Sequence, residues 1–328
     1  MKGLCDARAW RRRLMGADAG RQPDAFARQT SAFVAGHGLV RVFYAALLFL
    51  LLDDLREWPR WLAAGFDETL WPVSWMAWAG VPFVVNTAWT LALLGAGLCL
   101  LFPGRRWARV MLFLGLLQFV ALTYSGVKIK HHWHGWLWVS LCLAFLPDGD
   151  RASLEASRAR RQMHLGVVFG AQCALALFYS LSGAFKLGFA GAQALIGDVH
   201  GLHPMALAYQ LAGYLARHSE AGMLGGWLLE HPLLGFPAYQ LAIYLELFSL
   251  VAVFRPSVHR VWGLALIAFH VGNELVLGIA FTRQLLLVGL LFVCSPTAPP
   301  TFDWRRTACD LPLLGGLARR LGLSPPVR

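Results

Sequence analysis

The sequence predicts an all-α, polytopic integral membrane protein, a helix bundle of about eight transmembrane helices. Three observations predict it. Apolar residues make up 57% of the 328 positions and charged residues only 14%, well below the quarter that is usual in soluble domains. The mean hydropathy is +0.53. Many of the 14 tryptophans stand at the edges of apolar runs, among them Trp58, Trp61, Trp71, Trp75, Trp107, Trp133 and Trp136, where an interfacial belt belongs.

A crossing helix needs roughly 20 mostly apolar residues. Runs of this kind predict spans at 33–52, 78–102, 107–127, 133–147, 164–187, 235–254, 261–281 and 283–296. The fourth and eighth are short enough to be tilted or partly re-entrant, which lets the count fall to six or seven. They divide the chain into a basic N-terminal segment (1–32), a transmembrane domain (33–300) and a short C-terminal tail (301–328).

The charges between the spans set an orientation. Residues 1–38 carry seven Lys/Arg against three Asp, whereas 53–77 carries Asp53, Asp54, Glu57, Asp67 and Glu68 against Arg56 and Arg60. Arg105, Arg106 and Arg109 follow span two, and Arg151, Arg158, Arg160 and Arg161 follow span four. Cytoplasmic loops collect Lys and Arg, so both termini are expected inside. This placement accounts for the net charge of +11 without a nucleic-acid partner; the expected surroundings are membrane lipid. A basic cluster on the outer side, Lys128-Ile-Lys130-His131-His132-Trp133-His134, breaks the pattern. The outer connection 188–234 is long and apolar, with Leu195, Ile196, Met205 and Leu211, and reads as an amphipathic or re-entrant lid. An Arg-rich stretch precedes the first apolar run, unlike a signal peptide. Cys5, Cys99, Cys142, Cys173, Cys294 and Cys309 show no CxxC spacing, so neither a disulfide framework nor a thiol redox centre is expected.

Several titratable residues lie within or against the apolar runs: Arg41, His132, Lys186, Glu246, His270 and Glu274. An ionisable group at bilayer depth is costly unless paired or hydrated, and by default marks function. A lysine in apolar surroundings can give up its charge and act as a base, which makes Lys186 the leading candidate. Lys128, Lys130 and the histidines approach the same outer leaflet as Lys186. They either assist proton transfer or snorkel to headgroups. Adjacent histidines without a carboxylate or thiolate are poor metal ligands, so no metal is expected. His270 and Glu274 are four residues apart and share a helix face with Asn273 beside them, and Glu246 can face the same interior. Together they form either a polar pocket or interhelical hydrogen bonds that fix packing. Arg41 pairs with an intramembrane acid or reaches an interface.

Four stretches carry a resemblance. They are Leu39-Val-Arg-Val-Phe-Tyr44 leading to Leu51-Leu-Asp53, His131-His132 through Phe145-Leu-Pro-Asp148, Tyr179-Ser-Leu-Ser-Gly-Ala-Phe-Lys-Leu187, and Phe269-His270 through Phe292-Val-Cys-Ser-Pro296. They resemble the HTTM family and the transmembrane part of vitamin K-dependent γ-glutamyl carboxylase over most of 33–300. The resemblance implies a membrane enzyme of the bacterial inner-membrane type, its site facing the outer side. In that family the lysine of the Lys-Leu pair deprotonates reduced vitamin K or another quinol. Oxygen addition then creates a strong base that removes a γ-proton from glutamate, so that carbon dioxide can attach. Carried over, Lys186 is the base and His132 its partner; Arg41, Glu246, His270, Asn273 and Glu274, from their own placement in the apolar runs, are expected to shape the substrate pocket. Phe189 and Ala192 stand where the family has a tryptophan, and the chain ends soon after Pro300 without the family's large outer domain. A small-molecule, lipid or short-peptide acceptor is therefore expected rather than a docked protein. The rival expectation is a non-catalytic membrane partner for maturation or export of a peptide or protein. A carrier ranks lower, because no inverted repeat is visible.

Overall fold

A computed structural model describes residues 23–63, 69–125, 131–149, 156–197, 201–218 and 221–323. The chain is all-α; among the described residues there is no strand. Among the described residues, six helices are long and apolar enough to cross a membrane. Many apolar side chains stay exposed on them, including Phe49, Phe83, Leu181 and Leu264, as lipid-facing surfaces require. The chain divides into two compact units, residues 1–174 and 175–328.

In the first unit α1 spans Pro23–Asp54, so helix starts within the expected N-terminal segment, ahead of 33. Two short helices, Trp58–Ala63 and Met76–Ala79, precede α2, Val81–Leu101. Gly80, with a φ of 85°, turns the chain, and a proline in the first turn opens α2, where its missing N–H is harmless. The next helix, α3, spans Arg106–Ser125. Gly95 lies against the backbone of Leu112, and Gly115 against that of Ala92, so a Cβ at either glycine would overlap main-chain atoms. Such small residues let membrane helices approach closely.

The fourth predicted span becomes α4, His134–Leu143, only 10 residues long. The segment 134–149, α4 with the turns that follow it, nevertheless reaches from one end of α3 to the other. His134 packs on Tyr124 with ring centroids 4.9 Å apart at one end. At the other, Asp148 accepts from the Arg106 N–H at 2.9 Å and Gly149 N–H donates to Gly104 O at 3.0 Å. Arg109, read as a loop charge, is instead 1% exposed. Its guanidinium donates to Pro103 O, Leu146 O and Asp148 Oδ1 at 2.6, 2.5 and 3.1 Å, tying the two turns together.

Helix α5, Arg158–Leu195, begins in the first unit and continues into the second. It runs past the predicted end at 187 into the expected lid, whose described remainder includes α6, Ala206–His218, and α7, Gly225–Glu230. Helix α8, Gly235–Val253, holds α6 through a cluster of Ala206, Leu207, Tyr239 and Ile243. Helix α9, His259–Leu277, ends at Gly278 in the left-handed conformation (φ 70°), whose N–H donates to Glu274 O at 2.8 Å, a glycine C-cap. The N–H groups of Gly222 and Leu224 donate to Val276 O and Leu275 O at 3.2 and 2.8 Å, anchoring the segment before α7 on the end of α9. The eighth predicted span is α10, Thr282–Val288, continued by a π-turn over Gly289–Val293. The expected tail folds as α11, Trp304–Asp310, and α12, Leu314–Arg320. Asp303 caps α11 by accepting from Arg306 N–H, and the pair is tied to α8 and the α8–α9 turn by Tyr244 OH donating to Pro312 O and Arg255 to Asp310 O, both at 2.7 Å.

Candidate functional site

Tyr179, Ser182, Gly183 and Lys186 are spaced three, four and seven residues along α5 and so share one face. Gly183 brings that face against α8, since a Cβ there would overlap the backbone nitrogen of Leu247. Beside it, the Ser180 hydroxyl accepts from Leu250 N–H at 2.9 Å and donates to Glu246 O at 3.3 Å. This inserts α5 into the α8 hydrogen-bond ladder at the level of Glu246.

The close approach sets Glu246 opposite Lys186. Lys186 Nζ lies 2.6 and 2.5 Å from the two carboxylate oxygens, and Ser182 Oγ donates to Oε1 at 3.3 Å. Lys186 Nζ also stands 5.8 Å from the centre of the Phe269 ring, a cation–π geometry. Glu246 is 4% exposed, whereas the Lys186 side chain is 33% exposed. Two opposite charges with a hydroxyl and a ring around them satisfy the condition under which ions persist at this depth.

A second polar pair uses the start of the same α5 face. Tyr179 OH and His270 Nε2 are 2.6 Å apart, with the donor set by the imidazole tautomer. Both residues are buried, Phe269 and Phe281 flank the imidazole, and His270 Nδ1 has no hydrogen-bond partner.

Lys186 lines a cavity of about 400 Å³. Phe185, Phe189 and Tyr209 supply apolar surface, and Gln193, Gln210 and Tyr239 add polar groups. Phe185 and Phe189 are exposed and nearly parallel, their planes 8° apart and centroids 6.2 Å apart. Gln210 Nε2 donates to Tyr239 OH at 2.5 Å. An apolar cleft with a few convergent polar groups is the usual form of a small-molecule site. Among the described residues, no three His, Cys, Asp or Glu side chains gather as metal ligands.

The structure thus brings Lys186, Glu246 and His270 together in the second unit. Glu274 is exposed and Asn273 half-buried; neither side chain makes a hydrogen bond with another described residue, so His270 pairs with Tyr179 rather than with Glu274. Arg41 and His132 belong to the first unit. Arg41 is exposed, one turn after His37, and His132 is half-buried with its ring 6.4 Å from that of Trp133. Lys128 and Lys130 lie outside the described residues. Sequence reasoning missed the pairing of Glu246 with Lys186, the role of Tyr179, and the contribution of Gln210 and Tyr239. The recurrence of Tyr179, Ser182–Gly183 and Lys186 at helical spacing was the available signal for the first two.

Compared with protein-family models, with curated proteins and with solved structures, the chain matches none.

Proposed function

We propose that the second unit is a proton-transfer site for an apolar, weakly acidic ligand, and that this ligand is a quinol handled as in the HTTM and carboxylase family. The observation that carries the reading is Lys186, paired with Glu246, in the wall of an otherwise largely apolar cavity. The cavity residues suit such a group: parallel phenyl faces at Phe185 and Phe189 for a flat ring, and Lys186 for a hydroxyl.

Lys186 and Glu246 sit close enough to share a proton. With that proton on Glu246, the Lys186 amine has a lone pair and takes a proton from a ligand hydroxyl beside it. The ammonium so formed stays next to the oxygen that lost the proton, while Glu246 remains neutral, so the group as a whole gains no charge. Ser182 and the Phe269 ring hold the two side chains in register. Bound here, reduced vitamin K or another quinol would supply the acidic hydroxyl and the electrons for oxygen, with carbon dioxide consumed where an acceptor is carboxylated. The assisting role of His132 rests on the resemblance. In this reading the protein lies in a bacterial-type inner membrane, both termini cytoplasmic, with the cavity opening to the outer side.

The test uses the full chain in lipid nanodiscs with oxygen, bicarbonate and a panel of reduced naphthoquinones and benzoquinones, and measures epoxide by chromatography. Wild type is expected to form epoxide and Lys186→Ala at least about 100-fold less, the scale of a lost general base. No epoxide from folded wild type with any quinone overturns the proposal.

A second reading, a non-catalytic partner in peptide or protein maturation or export, is favoured by two observations. Lys186 is held in an ion pair, and Leu195, Ile196, Met223 and Trp227 stand exposed across 188–234. Photocrosslinking from position 223 in cells checks it: an exported polypeptide should be captured there, while capture of lipid alone removes this reading.

A further inference from the structure

On the first unit, an open trough of about 490 Å³ runs along α2 and α3. Leu91, Val110, Met111 and Leu114 form its apolar part, and Arg106 and Trp107 stand at one end. Positions 106, 107, 110, 111 and 114 recur at helical spacing, so they form one stripe of α3. From Arg106 to Leu114 the stripe is about 12 Å long, against about 15 Å for one leaflet's share of the hydrocarbon core.

The stripe is amphiphilic from end to end. Val110 and Leu114 are well exposed, and Trp107 is 57% exposed beside the cationic end, the headgroup-level position that tryptophan favours. Arg106 is also exposed, and Asp148, which caps its backbone, is engaged otherwise. It accepts from the Arg106 backbone N–H and from the buried Arg109 guanidinium. The Arg106 guanidinium makes no hydrogen bond or ion pair with another described residue, and it lies at the positive N-terminal end of a 20-residue helix.

We infer that this trough is a binding site for one anionic glycerophospholipid, its acyl chain lying along Val110, Met111 and Leu114 and its phosphate on Arg106. A protein segment would leave the guanidinium to find its own acid, whereas a phospholipid matches the trough's polarity at both ends. The charge-derived topology puts the Arg106 end at the inner leaflet, where anionic lipids attract basic residues.

The test is native mass spectrometry of the full chain, delipidated in detergent, with phosphatidylglycerol or phosphatidylcholine of identical acyl chains. Wild type is expected to retain one phosphatidylglycerol about fivefold more tightly than phosphatidylcholine, the effect of one cation near an anionic headgroup. Arg106→Gln should equalise the two lipids, and Arg106→Lys should keep the preference. Leu114→Trp, which fills the trough, should weaken both. Equal retention by wild type, or a preference that survives Arg106→Gln, overturns the inference. Arg106 is exposed, so Arg106→Gln decides the matter even where Leu114→Trp fails to fold.

Discussion

Glu246 accepts hydrogen bonds from Lys186 at both oxygens and from Ser182 at one, so substitutions around it separate charge from packing. Lys186→Met leaves a nearly buried carboxylate with only a hydroxyl. The expected loss is about 2 kcal/mol, below the 3–5 of a fully buried pair because Lys186 is partly hydrated. Adding Glu246→Leu should recover most of that loss; thermal unfolding in detergent of both singles and the double checks this, and additive losses would contradict it. Tyr179→Phe removes the one hydrogen-bond partner that a buried imidazole has among the described residues and should cost about 1–3 kcal/mol by the same measurement. Lys186, Glu246 and His270 were legible as candidates because each interrupts an apolar run. Their partners were not. Which acid meets Lys186 depends on the rotation and depth of α8 against α5, and a single sequence carries no record of either. Tyr179 passed as an ordinary aromatic because its hydroxyl acquires meaning only opposite His270.

Helix contacts impose sharper limits than composition suggests. Gly183→Val forces a side chain into the backbone of α8 and should lower stability by about 1–3 kcal/mol or more. It should also weaken the Lys186–Glu246 pair, measured as a fall in both unfolding temperature and epoxide yield. Gly188→Ala, further along the same helix, meets no atom within 4 Å and should leave both unchanged. The sequence located six long spans and flagged the two short ones, because apolar run length reads directly. It placed the end of α5 too early: Gly188 and Gly191 look like helix breakers, yet the helix runs through both. It also missed the helices of the tail, which are seven residues each, too short for a periodic signal and separated by Pro312. Arg109 misled for another reason, since a charge at the start of a span reads as topology until two carbonyl-bearing turns are seen to close around it.

For the molecule as a whole, charge counts give an orientation that labelling can test. In a cysteine-free background, Leu202→Cys should react with a membrane-impermeant maleimide on intact cells, while Arg105→Cys should react only after lysis; the reverse pattern overturns the inside placement of both termini. The division into two units falls inside α5, at a point where the sequence shows only a continuous apolar run, so no linker could have announced it. The Lys186–Glu246 pair has one further consequence, an electrical one. Moving an elementary charge across a membrane is worth about 2.3 kcal/mol per 100 mV. A proton passed among a bound hydroxyl, Lys186 and Glu246 travels only the few ångströms between those atoms and leaves their sum of charges as it was. Membrane voltage has almost no hold on such a step, which should run at the same rate in energised and in collapsed vesicles.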